Sequence, residues 1–161
     1  MAHWTGTFPG GYWSYHSGAH TDASWKAYLA DLEHCLANAH GPVVLITFVQ
    51  GLSPPSAAQR KALADLTQRE AAKKVTHHCF ITRSRVIQLT LTALDWLVKK
   101  HYQEKAFVNA MEGLRWVGSQ LPGCDTRAIV EQIVARVPAE LLMEELQGAP
   151  SLAHDRQRLS S

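Results

Sequence analysis

Thiols are scarce in this chain. Cys35, Cys79 and Cys124 are the only cysteines in 161 residues, and no two form a C-x-x-C pair. An odd count at scattered spacing argues against a disulfide framework and for reduced thiols in a cytoplasm. No apolar run approaches the ~20 residues that cross a bilayer. The opening MAHWTGTFPGG lacks the basic start and apolar core of a secretory signal. The expectation is a soluble, cytoplasmic protein without a membrane partner. Net charge is only +2 and is spread along the chain. No basic block is present, which argues against nucleic acid as a partner. There is no Walker loop and no G-x-S-x-G, so neither a phosphate cradle nor a nucleophile elbow is expected. No catalytic residue, metal ligand set or cofactor is assigned, and an enzyme is not expected.

What remains is the composition of a folded domain, 46% hydrophobic and 19% charged. HWTGTF (3–8) and YWSYHS (12–17) flank Pro9-Gly10-Gly11, which predicts a β-hairpin. Thr21 or Asp22 caps a helix whose Trp25, Tyr28, Leu29, Leu32, Cys35 and Leu36 share one face. Gly41-Pro42 ends it. VVLITFV (43–49) is apolar and β-branched, as a strand covered on both faces should be. Ser56 to Gln59 has capping-box spacing and opens a second helix. VTHHCFIT (75–82) predicts a strand, 84–100 a helix, 105–108 a strand. Asn109 to Glu112 is a second capping box, opening a helix through Leu121. Asp125 caps a further helix carrying Ile129, Ile133, Val134 and Val137, and Pro138 stops it. Residues 139–147 read as a short amphipathic turn or two, and 148–161 as a polar tail. Strands alternating with helices after a hairpin predict an α/β fold. The sheet is mixed and mostly parallel, with about five strands. The expected division is a domain over 1–122 and a C-terminal helix with tail over 123–161.

Several stretches carry a family resemblance. YWSYHSGAHTDASWKAYLADLE is similar to a second strand and first helix. VVLITFVQGLSPPSAAQRKALADL is similar to a central strand, signature loop and second helix. RVIQLTLTALDWL resembles a third helix. AFVNAMEGLRWVGSQL resembles a closing strand and helix, with Phe107, Glu112, Leu114, Trp116 and Val117 in the pattern and Gly113 where an Ala is usual. Over residues 3–121 the chain resembles the STAS-like (SpoIIAA-like) domains known from anti-sigma-factor antagonists. The resemblance implies a non-catalytic module that binds other proteins, in some members through a phosphorylatable serine.

In those members the loop after the central strand reads Asp-Ser-Ser-Gly or Asp-Ser-Thr-Gly. Here it reads Gly51-Leu52-Ser53-Pro54-Pro55-Ser56. Ser53 and Ser56 are the candidate phospho-acceptors, but the Asp is missing and Ser56 already serves as a cap. A rigid loop with a helix start is the expected reading. His77-His78-Cys79 is the most metal-like stretch, yet strand alternation puts His78 on the face opposite His77 and Cys79.

Two surfaces are candidates for binding another protein or peptide, or a second copy in a homodimer. On the third helix, Val86, Leu89, Ala93 and Leu97 form one stripe, and Ile87, Leu91, Leu94 and Val98 a second. The second stripe is expected either to be covered by the 125–137 helix or to be an interface. On the hairpin, Tyr12, Ser14 and His16 alternate with Trp13, Tyr15 and Ser17, so both faces are aromatic. One face is expected to be core, and the other is either covered by the tail or a binding surface, with Trp13 and Tyr15 marking a peptide-binding edge.

Overall fold

A computed structural model of the chain describes residues 2–51, 55–89 and 100–147. Five strands form one sheet in the order β1-β2-β3-β4-β5. They are β1 (Ala2–Phe8), β2 (Gly11–Ser17), β3 (Val43–Gln50), β4 (Val75–Thr82) and β5 (Gln103–Phe107). β1 and β2 are antiparallel, and every other pair is parallel. The α/β class and the mostly parallel sheet are as the sequence predicts.

The hairpin closes where Pro9-Gly10-Gly11 requires it. Gly10 sits at φ 81°, a left-handed conformation open to glycine. β2, β3 and β4 are the interior strands, and in β2 and β3 every residue of 11–16 and 43–49 is buried apart from the half-buried Leu45. That explains why VVLITFV shows no polar alternation.

Helices cover both faces. On one face lie α1 (Asp22–Asn38), α2 (Ala57–Thr67), a 3-10 turn (Glu70–Lys74) and the start of α3, helical over 85–89. Thr21 caps α1 by accepting from the Ser24 N–H. Lys74 Nζ donates to the carbonyls of Leu36 and Ala39 at 2.9 and 2.7 Å, satisfying the far end of α1. The Ser56–Gln59 capping box is present with both of its hydrogen bonds. α3 opens at Ser84, whose hydroxyl accepts from the Ile87 N–H.

On the other face lie α4 (Ala110–Gln120), α5 (Thr126–Arg136) and α6 (Glu144–Gln147). Asn109 caps α4 by accepting from Met111 and Glu112, and Asp125 caps α5 by accepting from Ala128. One apolar cluster joins Trp13, Tyr15, Ile46, Phe48, Cys79 and Ile81 of the sheet to Leu114, Val117, Ile129, Ile133 and Leu146 of these helices. The chain beyond residue 123 thus contributes to the core of the sheet itself.

Two expectations are corrected here. Trp13 and Tyr15 are not a surface, for both are completely buried. Their partners are the chain's own C-terminal elements. Trp13 Nε1 donates to Gln132 Oε1 at 3.0 Å. The Tyr15 hydroxyl accepts from the Met143 N–H at 2.9 Å and lies 2.6 Å from the Leu141 carbonyl. Nor does α5 cover the described start of the third helix, residues 85–89. It packs on β1, α4 and α6, whereas Ile87 of α3 packs with Val49 and Phe80 on the opposite face of the sheet. The uncovered surface that α5 fills is the one the Trp13 face of the hairpin would otherwise present to water.

Candidate functional site

Of the residues singled out in the sequence, Ser56 is exposed and acts as the cap of α2. Ile87 is buried rather than displayed, and it was expected in the interface stripe. Its neighbours from the other stripe, Val86 and Leu89, are the exposed ones at 59% and 70%. Ser53, Leu91, Leu94 and Val98 lie outside the described residues. His77 stacks edge-on against Trp116 of α4, while His78 faces the α1 and α2 side, so the two histidines point to opposite faces as alternation requires.

The feature with the shape of a binding site is a cavity of about 150 Å³ between the sheet and α1, α2 and the start of α3. Its wall, among the described residues, is apolar over most of its extent. Leu32 and Leu36 come from α1, Leu63 and Leu66 from α2, Leu45 and Val49 from β3, and Phe80 from β4. Helices placed over a sheet by capping residues leave this gap where Thr47 and Ala64 put only small side chains. A cavity with such a wall stays dry or takes an apolar guest.

Its polar groups form one chain across three neighbouring strands. Thr47 Oγ1 of β3 is 2.9 Å from His78 Nε2 of β4. His78 Nδ1 is 2.7 Å from Glu104 Oε2 of β5. Lys100 Nζ donates to the other carboxylate oxygen of Glu104 at 2.6 Å. Burial pushes the Glu104 carboxyl up, but the hydrogen bonds and charges of His78 and Lys100 outweigh it and hold the pKa at about 2. Glu104 is therefore a carboxylate and only accepts, so the ring proton of His78 sits on Nδ1. In the neutral ring Nε2 then accepts from the Thr47 hydroxyl. Ser14 Oγ donates in turn to Thr47 at 3.4 Å. The order hydroxyl, imidazole, carboxylate is that of a hydrolytic triad. Here it forms part of the floor of the cavity, with its hydrogen bonds used internally.

A second polar group sits at the C-terminal ends of β2 and β3. The rings of His16 and His20 lie 5.0 Å apart, and His16 stands edge-on to Tyr28 at 4.6 Å. His16 Nδ1 and His20 Nε2 are buried without a hydrogen-bond partner among the described residues. Burial, then the neighbouring imidazoles, pushes the pKa of both rings down, for His20 to about 4. Both are neutral at pH 7. Gln59 ties this end together: its Nε2 donates to Asp22 Oδ1 at 3.0 Å, and its carbonyl accepts from Trp25 Nε1 at 3.0 Å. Cys79, on the other face, has its thiol pushed up to about 12 by burial and is a packing residue.

Sequence reasoning did not single out Thr47, Arg60 or Glu104 as site residues, and weighed His78 only as a metal ligand. One signal was available, since Thr47 is the polar residue at the middle of VVLITFV.

No family model matches the chain, and no curated protein does. Among solved structures, an uncharacterised protein from Shewanella loihica is similar. It is described as a DUF3478 family member with a SpoIIAA-like fold. Identity is 16%, the match covers 71% of this chain and 91% of that chain, and the TM-score is 0.50. The fold is that of a SpoIIAA-like α/β domain, as the sequence resemblance implies. No helix among the described residues is long and apolar enough to cross a membrane.

Proposed function

We propose that the chain is a non-catalytic binding module whose cavity takes a small apolar molecule. The observation that carries this reading is the apolar cavity between the sheet and α1 and α2. A concave apolar site with a few placed polar groups is the usual form of a small-molecule site. A regulatory role follows naturally, because the walls are contributed by separate helices whose packing a guest would tighten.

Thermal unfolding in a series of straight-chain alcohols, from butan-1-ol to octan-1-ol at low millimolar concentration, tests it. Each added methylene should raise the midpoint until the cavity is full. At tenfold excess over Kd the gain is about 1.4 kcal/mol, or about 4 °C for a chain of this length. Leu45→Phe, which fills part of the cavity, should blunt the series. A midpoint that only falls with chain length would refute the reading.

The alternative is a partner-protein surface. The observation that favours it is the exposure of Val86 and Leu89, side by side at the start of α3. Leu89→Asp should then abolish association, whether with another protein or with a second copy, while leaving the unfolding midpoint in place.

A further inference from the structure

We infer that the ligand of this cavity is an amphiphile carrying a carboxylate, and that Arg60 receives it. The inference rests on the small-molecule reading above and names the chemical class of the guest.

Three charged side chains stand in the described wall: Arg60, Lys100 and Glu104. Lys100 and Glu104 pair with each other at 2.6 Å. Arg60 is half-buried, and no carboxylate among the described residues lies within ion-pair distance of it. Among the described residues its guanidinium donates from Nη1 to the Pro55 carbonyl at 2.6 Å. A guanidinium has five donors in a planar fork that matches a carboxylate. Among the described residues most of that capacity is unspent, on a wall that is mostly apolar. The bond to Pro55 holds the head in place and so lowers the ordering cost of binding.

The position of Arg60 gives the ligand a direction. Pro55, Arg60 and Val49 stand at the end where the parallel strands finish. Open α/β sheets receive polar ligand groups at that end. Leu36, Ala72 and Val75 line the opposite end, where Lys100 and Glu104 also stand but are paired with each other. A molecule with a carboxylate at Arg60 and a short alkyl or aryl body running toward Leu36 satisfies both ends. His16 and His20 are neutral at this end and supply no competing charge.

The test compares hexanoate with hexan-1-ol by NMR titration of the isotope-labelled full chain at pH 7, in the wild type and in Arg60→Gln. Hexanoate should bind about tenfold more tightly than hexan-1-ol, the fold-change of one charge-assisted hydrogen bond. In Arg60→Gln the preference should disappear, with hexan-1-ol affinity unchanged. Arg60→Lys should restore part of it, because the charge returns without the fork. Equal binding of both compounds in the wild type would overturn the carboxylate assignment and leave the cavity reading standing. Binding of neither would overturn both. A hexanoate preference that survives Arg60→Gln would place the acid elsewhere and defeat the inference.

Discussion

Gly113 shows how closely the chain is packed at a single residue. A Cβ there would stand 2.8 Å from Ile81 Cδ1 and 3.0 Å from Cys79 Sγ. α4 rests on β4 at that point with no room for a methyl group. This accounts for glycine where the resembled family pattern has alanine, a departure visible in the sequence whose cause was not. Gly113→Ala should destabilise by about 1–3 kcal/mol despite its better helix propensity. Chemical denaturation measures it, and a neutral or stabilising result would mean that α4 is free to move off the sheet. The histidines make a second residue-level prediction. His16 and His20 bind protons less readily in the folded chain than a free ring with a pKa of 6.5. The unfolded chain therefore takes up protons first. Stability is full above pH 6.5 and falls as the pH drops toward about 4. Glu104 has the opposite charge type and a lower window, since its contribution is present above 4.5 and lost toward about 2. Urea midpoints between pH 7.5 and 4 should decline, and His16→Leu should flatten that decline. A flat wild-type profile would contradict the burial of neutral rings.

Helix starts were legible because capping is local chemistry. Thr21, Ser56, Asn109 and Asp125 all cap where their spacing predicts. The return bond from Gln59 to Ser56 completes one box at 3.0 Å, and Ser56→Ala should cost about 1 kcal/mol. The hairpin and its alternation were legible too, since period-two patterning assigns faces without knowledge of the partner. Which element meets which face was not legible. Amphipathicity says that a helix has an apolar side but not where that side docks. α5 was one of two expected partners of the second stripe on the third helix, the other being an interface, and it meets Trp13 on the other face of the sheet. Aromatic residues that looked like a binding edge are consumed by this docking. Tyr15 is its anchor, because one hydroxyl serves the Met143 N–H and the Leu141 carbonyl in a buried setting. Tyr15→Phe removes these contacts together with the one to Gln50 Oε1 at 2.6 Å and should destabilise by about 1–3 kcal/mol. Hydrogen exchange should speed up most over residues 139–147. Uniform acceleration across the sheet would mean that Tyr15 acts on the fold as a whole and not as a clamp on α6.

The two sides of the whole molecule are packed to different purposes. On the α4–α5–α6 side the sheet meets its helices in one continuous cluster that includes Trp13, Tyr15, Phe48 and Leu146, all fully buried. On the α1–α2 side a cavity remains between well-anchored helices. That contrast was beyond sequence reasoning, because a void depends on where helices rest and not on which residues are apolar. Leu32, Leu45 and Leu66 read as ordinary core positions in the sequence, and they line the chamber in the fold. The polar chain from Thr47 to Lys100 was equally hidden, since Thr47 and His78 are 31 residues apart and His78 and Glu104 are 26 apart. On the proposed reading this chamber, and not the exposed start of α3, receives the ligand. The most direct measurement is the set of intermolecular NOEs between bound hexan-1-ol and the protein's methyl groups. Contacts to Leu32, Leu45 and Leu63 are predicted. Contacts confined to Val86 and Leu89 would contradict the account and move the binding site to the surface.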